Sequence, residues 1–203
     1  MKHVGWMLND SAREVRRACL EWLCKMFENK TICCQMREFL GQFKNRIIQM
    51  KLDVSNDCGI LAIRTLKNIM SNRIELGVQL SRTDCVEISK LTFSIHRPLA
   101  VAAGDFLTEF RFSSLLENDG EFTSRGERLS QNVTRFIALI DFYTRVEINN
   151  HTTYLVDALW DSNSEWLTDW EGMCQLLLDD RLESDQELAL IDILLRSTVQ
   201  EKG

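Results

Sequence analysis

Asp10 to Leu23 reads DSAREVRRACLEWL, Asp53 to Leu66 reads DVSNDCGILAIRTL, and Ser94 to Leu107 reads SIHRPLAVAAGDFL. The three align without gaps at offsets of 43 and 41 residues. Asp10, Asp53 and Ser94 coincide where a helix N-cap, or the turn leading into a helix, belongs. Cys19, Ala62 and Ala103 coincide as small residues, and Leu23, Leu66 and Leu107 as large apolar ones. A small residue in mid-helix lets two backbones approach, and a leucine one turn on fills the space beside it. A period of about 40–47 residues with two helices per repeat is the HEAT/armadillo signature. The reading is an all-α fold, a HEAT-type α-α superhelix of antiparallel helix pairs over residues 1–203. Pro98 falls in the first turn of the third segment, where proline is tolerated.

The partner helices lie between these segments. In Gln35 to Lys51, Met36, Phe39, Leu40, Phe43, Ile47 and Met50 follow spacings of three and four, one helical face. Thr83 to Phe93 carries Cys85, Val86, Ile88 and Leu91 behind a candidate Thr83 cap. Residues 113–128, rich in Ser, Glu, Asp and Gly, read as a flexible loop. Helices are expected again at 129–146, 150–160, 164–178 and 184–199, with Ser184 and Glu187 forming a capping box. Trp166 and Trp170, an i,i+4 pair with Met173 and Cys174 beyond, are expected to form one buried helix face. Residues 2–8 read as the last turns of a helix, opening on apolar Val4, Trp6, Met7 and Leu8 where a solenoid normally has a polar cap. The expectation is therefore a piece, or a shortened relative, of a longer solenoid.

Composition supports the helical reading. One proline and nine glycines are too few for the turns of a sheet protein. With 45% hydrophobic and 27% charged residues the chain is too apolar for disorder. No apolar run approaches the ~20 residues of a membrane span. Seven cysteines, an odd number without a C-x-x-C pair, read as reduced core thiols rather than disulfides or a zinc site. The net charge of -6 is uneven: Lys and Arg against Asp and Glu number 13 to 8 in residues 1–75 and 4 to 14 in residues 141–203.

Chemistry finds no foothold. His3, His96 and His151 are not spaced as metal ligands, and phosphate-binding glycine loops and the nucleophile elbow are absent. No catalytic, cofactor or metal residues are assigned, and the chain is not expected to be an enzyme. Trp6 stands apart, beside Lys2 and His3 and within reach of the helix carrying Phe39 and Phe43. An aromatic groove edged by cations suits a short aromatic or acidic peptide.

At these residues the sequence resembles the stromalin (stromal antigen) family, HEAT-repeat accessory subunits of cohesin. The blocks that carry the likeness are VGWMLNDSAREVRRACLEWL (4–23), FLGQFKNRIIQMKLD (39–53), HRPLAVAAGDFL (96–107), YLVDALWD (154–161), DWEGMCQLLLDD (169–180) and ELALIDIL (187–194). They run from the end of the stromalin conserved domain onward. The resemblance implies a non-catalytic scaffold in sister-chromatid cohesion and chromosome segregation, located on chromosomes in the nucleus. It implies binding of the kleisin subunit, and a pocket for F/Y-x-F peptides of regulators such as shugoshin and the zinc-finger insulator protein. Trp6 matches the pocket's tryptophan and Phe43 its phenylalanine, with Phe39 one turn earlier and Lys2 and His3 at the rim. The chain departs from the family at Gln42, where the family has arginine, and at His3, where it has tyrosine. Other pocket members fall upstream of Met1. The kleisin surface is assigned to Asp157, Trp160 and Asp161. Arg13, Arg17, Lys44, Arg46 and Lys51 are candidate DNA contacts, weak and salt-sensitive; the basic side chains of this early segment equally fit a structural ladder with Asp10 or Glu14. A HEAT adaptor outside cohesin, or a scaffold whose main task is DNA binding, are the competing readings.

Overall fold

A computed structural model describes residues 2–112, 130–146, 151–179 and 181–202, and among these every regular element is helical. The chain falls into two compact units, Met1–Phe110 and Arg111–Gly203. The 113–128 loop lies outside the described residues.

The first unit contains α1 (Lys2–Met7), α2 (Arg13–Glu28), α3 (Lys30–Cys33), α4 (Arg37–Gln49), α5 (Asn56–Ser71), α6 (Arg73–Leu76), α7 (Arg82–Ser89) and most of α8 (Arg97–Phe112). The repeat inferred above sets its geometry. At each corner a backbone N–H closes a turn on the carbonyl three residues earlier: Asp10 on Met7, Asp53 on Met50, Ser94 on Leu91. The side chain at the same position then accepts a hydrogen bond from the N–H two residues on. Asp10 Oδ1 takes Ala12 at 2.8 Å, Asp53 Oδ1 takes Ser55 at 2.9 Å, and Ser94 Oγ takes His96 at 3.3 Å. A 16-residue helix follows each corner, α2, α5 and α8. Of the two roles open to Asp10, Asp53 and Ser94, the turn is the one adopted.

Cys19, Ala62, Ala103, Leu23, Leu66 and Leu107 are all buried. All but Leu107 belong to one core with Leu20, Phe27, Leu40, Ile47, Ile63, Ile69, Ile88 and Phe106, so α2, α4, α5, α7 and α8 share an apolar interior. Burial at the repeated positions is what makes the small/large pattern structural.

Polar side chains tie successive helices through backbone groups that helix ends leave unpaired. Asn68 Nδ2 donates to the Cys24 carbonyl at 3.0 Å and Asn72 Nδ2 to the Phe27 carbonyl at 2.8 Å, locking α5 to the C-terminal half of α2. Arg37 donates to the carbonyls of Leu76 and Glu75 and so closes α6. Gly77 ends α6 with φ +60, a conformation open to glycine, and a Cβ there would press on the Arg37 guanidinium. The α7 cap is Ser81, whose Oγ accepts from the Asp84 N–H at 3.0 Å; this corrects the Thr83 assignment.

The second unit contains α9 (Gln131–Arg145), α10 (Thr152–Leu167), α11 (Trp170–Leu178) and α12 (Ser184–Lys202). Here the expected helix boundaries need correction. A break was expected at residues 161–163, yet α10 runs unbroken through Asp161-Ser162-Asn163-Ser164. These short polar residues sit on the exposed or half-exposed side of the helix, and Asn163 Oδ1 accepts from the Trp166 indole at 3.0 Å. The break comes at Thr168–Asp169, where Asp169 Oδ1 accepts from the Gly172 N–H at 3.0 Å and starts α11. Trp166 and Trp170 therefore lie on different helices, and Cys174 is exposed. Trp166 is buried between Phe112, edge-on at 5.4 Å, and Phe136 at 5.2 Å. At the start of α12 the reciprocal bond joins the Glu183 N–H to Gln186 Oε1 at 3.1 Å, one residue earlier than the Ser184–Glu187 box.

Candidate functional site

Three arginines in one turn of α2 have separate fates. Arg16 is nearly enclosed and grips Asp53 with two parallel bonds, Nε to Oδ2 at 2.9 Å and Nη2 to Oδ1 at 2.7 Å, while Nη1 reaches the Asp10 and Ser11 carbonyls. That fork joins the first corner to the second. The Arg16 bond holds the Asp53 carboxyl below the usual carboxylate range, against the opposing effect of burial. Arg13 and Arg17 point to solvent and pair with Glu14 and Glu21. Of the pairings expected within this segment, Arg13 takes Glu14, whereas Arg16 takes Asp53 and meets Asp10 only through its carbonyl.

Two of the remaining candidate cations, Arg46 and Lys44, are engaged as well. Arg46 donates through Nε and Nη2 to the Leu8 carbonyl, holding the end of the first turn region against α4. Lys44 Nζ donates to the Gln79 carbonyl at 3.1 Å. Lys51 is half-exposed at the second corner. Arg46 and Lys44 are intramolecular clamps, with the exposed Arg13 and Arg17 paired to acids on their own helix.

The residues assigned to a peptide pocket separate by depth. Gly5 on α1 is buried directly on the Phe43 ring, and a Cβ there would overlap that ring. Phe43 is half-buried and stacks at 4.9 Å on Phe39, which belongs to the core. What α1 offers to solvent is Trp6, 60% exposed, with His3 edge-on at 5.2 Å and Lys2 beside it. The site is thus an open aromatic ledge, Trp6 with His3, on a helix that is seated through Gly5 on the Phe43 ring.

Asp157, Trp160 and Asp161 lie on α10. Asp157 is half-buried and accepts from Gln200 of α12 at 3.4 Å; Trp160 is half-buried and Asp161 exposed. Four of the seven cysteines are buried, Cys24 is partly so, and Cys34 and Cys174 are exposed; none forms a disulfide. Burial pushes the Cys85 thiol up to about 12, so it stays protonated. Among the described residues no group of His, Cys, Asp and Glu is arranged to hold a metal ion, and no helix is long and apolar enough to cross a membrane.

The comparisons with known proteins bear on both ends. The stromalin conservative domain matches residues 1–44, the stretch that holds Trp6, Phe39 and Phe43. The cohesin subunit SCC3/SA HEAT-repeats domain matches residues 154–202, which hold Asp157, Trp160, Asp161 and α12. Cohesin subunit SA-1 of Xenopus laevis is 36% identical over 202 residues, covering 96% of this chain and 16% of its own length. Cohesin subunit SA-3 of Homo sapiens is 36% identical over 207 residues, covering 98% of this chain and 16% of its own. Cohesin subunit scc-3 of Caenorhabditis elegans is 34% identical over 202 residues, covering 98% and 18%. The chain therefore spans less than a fifth of the length of these relatives.

Proposed function

Because this chain belongs to the stromalin (SCC3/SA) family of cohesin subunits, we propose that it acts as a non-catalytic accessory scaffold of cohesin, on chromosomes in the nucleus. Its work is to hold proteins: the kleisin subunit, through the α10 surface around Asp157, Trp160 and Asp161, and short aromatic F/Y-x-F peptides of regulators such as shugoshin, at the Trp6 ledge. The observation that carries the peptide reading is the exposed Trp6 ring, braced by His3 and backed by Phe43 under Gly5. A large aromatic side chain kept in water on a six-residue helix contributes little to the core, whereas aromatic anchors dominate binding interfaces. Lys2 beside it favours an acidic neighbour in the peptide. Gln42 and His3 stand where the family has arginine and tyrosine, so the peptide preference is expected to be shifted relative to family members that keep those residues.

DNA contact is a minor role in this reading. The guanidinium of Arg46 and the ammonium of Lys44 already donate to carbonyls, and Arg13 and Arg17 have acidic neighbours. Two or three phosphate contacts would give weak binding that salt removes.

The test uses a fluorescent F-x-F peptide and a kleisin fragment with the wild-type chain and Trp6→Ala. Loss of this exposed aromatic anchor should weaken the peptide by about tenfold or more, with kleisin capture and melting temperature unchanged. Unchanged peptide affinity in Trp6→Ala would remove the ledge from the proposal. Failure to capture kleisin by a folded chain would favour a HEAT adaptor outside cohesin.

A further inference from the structure

The short helices α3 and α6 occupy the same place in successive repeats. Each is four residues long and follows a 16-residue helix, and Lys30–Cys33 falls on Arg73–Leu76 at the offset of 43 residues that relates α2 to α5. The register pairs Cys33 with Leu76, both fully buried, and Cys34 with Gly77, both exposed. The fold thus encloses an apolar residue at the first position and leaves the second open, in the inner repeat as in the first. Neither position calls for sulfur, since Leu76 and Gly77 serve the equivalent turn. In α3 both are cysteine, and the two thiols converge. Cys33 Sγ lies 3.1 Å and Cys34 Sγ 3.5 Å from one acceptor, the Lys30 carbonyl oxygen. Burial raises the Cys33 thiol above its ordinary value, and the neighbouring Cys34 pushes the same way, so Cys33 stays protonated at neutral pH.

We propose that Cys33 and Cys34 form a dithiol site for a trivalent arsenical, a soft centre that takes two sulfurs. Soft centres select sulfur over the oxygen and nitrogen ligands of a protein surface. The sulfurs stand on neighbouring residues, so the second meets a centre already held by the first at high effective concentration. The reaction consumes thiols in their protonated form. With an arsenic oxide, R–As=O, two S–H bonds break, two As–S bonds form, and both protons leave with the oxide oxygen as water. Arsenic stays trivalent, and no oxidant or reductant takes part. The other fate of a close thiol pair, a disulfide, is opposed by the backbone. Neighbouring α carbons sit about 3.8 Å apart across a trans peptide, short of the roughly 4.4 Å at which disulfides usually begin. The exposed Cys34 is the point of entry. Closing the ring on Cys33 opens only the C-terminal turn of α3, where both residues lie.

The probe is phenylarsine oxide, added to the full reduced chain and followed by intact-mass spectrometry after washing with excess mercaptoethanol. Arsenic on a single sulfur exchanges onto the monothiol, whereas the chelate resists it and yields only to a competing dithiol such as dithiothreitol. The wild type and Cys174→Ser, which removes the other exposed thiol, are expected to retain one arsenical per chain. Cys34→Ser and Cys33→Ala are each expected to retain about a hundredth as much at the same monothiol concentration. Cys34→Ser is also expected to melt with the wild type, because its side chain faces water. Should Cys33→Ala melt lower, Cys34→Ser decides alone. Loss of the wild-type adduct to the monothiol overturns the proposal. Retention in Cys34→Ser overturns it too, by assigning the arsenical to other cysteines. Retention in a folded Cys33→Ala gives Cys34 a different second sulfur and ends the pair.

Discussion

The first unit repeats one corner three times, whereas the helix starts of the second share no such corner. In the first, Asp10, Asp53 and Ser94 share the same backbone turn and the same side-chain bond, at positions 43 and 41 residues apart. In the second, Ser130 caps α9 through the Val133 N–H, Asp169 caps α11 and also accepts from Asn132 Nδ2 at 2.7 Å, and Glu183 pairs with Gln186 before α12. The first unit adds a nearly enclosed Arg16–Asp53 fork between its corners. The second uses partly exposed pairs, Arg111 and Arg145 on Asp141, beside an aromatic cluster around Trp166. Repetition places polar anchors in register, so one acid serves its own turn and the neighbouring repeat. In the second unit the one acid that serves both its own helix start and a neighbouring helix, Asp169, bonds the neutral Asn132 and not an arginine.

The largest expected effect tests the shared interior. Leu66→Ala empties a fully buried site on α5 and should cost about 3 kcal/mol, read as a lowered denaturation midpoint. A loss below about 1 kcal/mol would mean that the matched leucines are not core elements of the repeat. Next comes the fork. Asp53→Ala leaves Arg16 nearly enclosed without its acid and should cost about 2 kcal/mol. Asp169→Ala, which removes a cap and the Asn132 bond in the second unit, should cost about 1 kcal/mol. Equal losses at the two aspartates would erase the distinction between an acid paired with a nearly enclosed arginine and one bonded to neutral groups. The fork also predicts a pH signature. Its folded carboxyl lies below the unfolded value of about 3.9, so its stabilisation is complete above that pH and fades as pH falls through the folded value. Asp53→Asn should flatten that acid-side slope.

A smaller effect is expected at the ledge. Gly5→Ala places a methyl group into the Phe43 ring, so α1 or the ring must shift, at a cost of about 1 kcal/mol. Phe43→Leu in the same chain should recover part of that loss, because a smaller side chain leaves room. If Gly5→Ala is neutral, α1 is not seated on α4 through this contact.

The fold was legible where the sequence repeats itself. Cys19/Leu23, Ala62/Leu66 and Ala103/Leu107 sit in one register, so three copies of a weak pattern reinforced one another. The partner of Arg16 was not legible, because Asp53 lies 37 residues away while Asp10 and Glu14 offered nearer acids. Only the stacking of one corner on the next brings the pair together. The α10–α11 boundary was misplaced because Ser162, Asn163 and Ser164 favour turns in general, yet here they continue the helix, with the Asn163 side chain turned to the Trp166 indole. The usable signal was Asp169 three residues before Gly172, an N-cap spacing. Within the candidate site, periodicity put Phe39 and Phe43 on one face correctly. It carried no information on depth, which Gly5 decides by covering Phe43 while Trp6 stays outside.

The smallest expected effect isolates why three neighbouring arginines differ. Arg17 is more than half exposed, pairs with Glu21 one turn on and lies 4.0 Å from Asp57. Such a pair gains little over its hydration, so Arg17→Ala should change stability by no more than about 0.5 kcal/mol. Arg16→Ala, one residue away, removes the fork and two carbonyl bonds and should resemble Asp53→Ala. Together the two variants separate charge from position, since each deletes one cation from the same helical turn. If Arg17→Ala proved as costly as Arg16→Ala, enclosure between corners would not be what gives this ladder its strength. The Arg17 variant also bears on DNA: if this side chain neutralises a phosphate, its removal should lower the slope of log affinity against log salt by about 0.9. An unchanged slope leaves Arg17 on a solvated helix face, answering to Glu21 and Asp57.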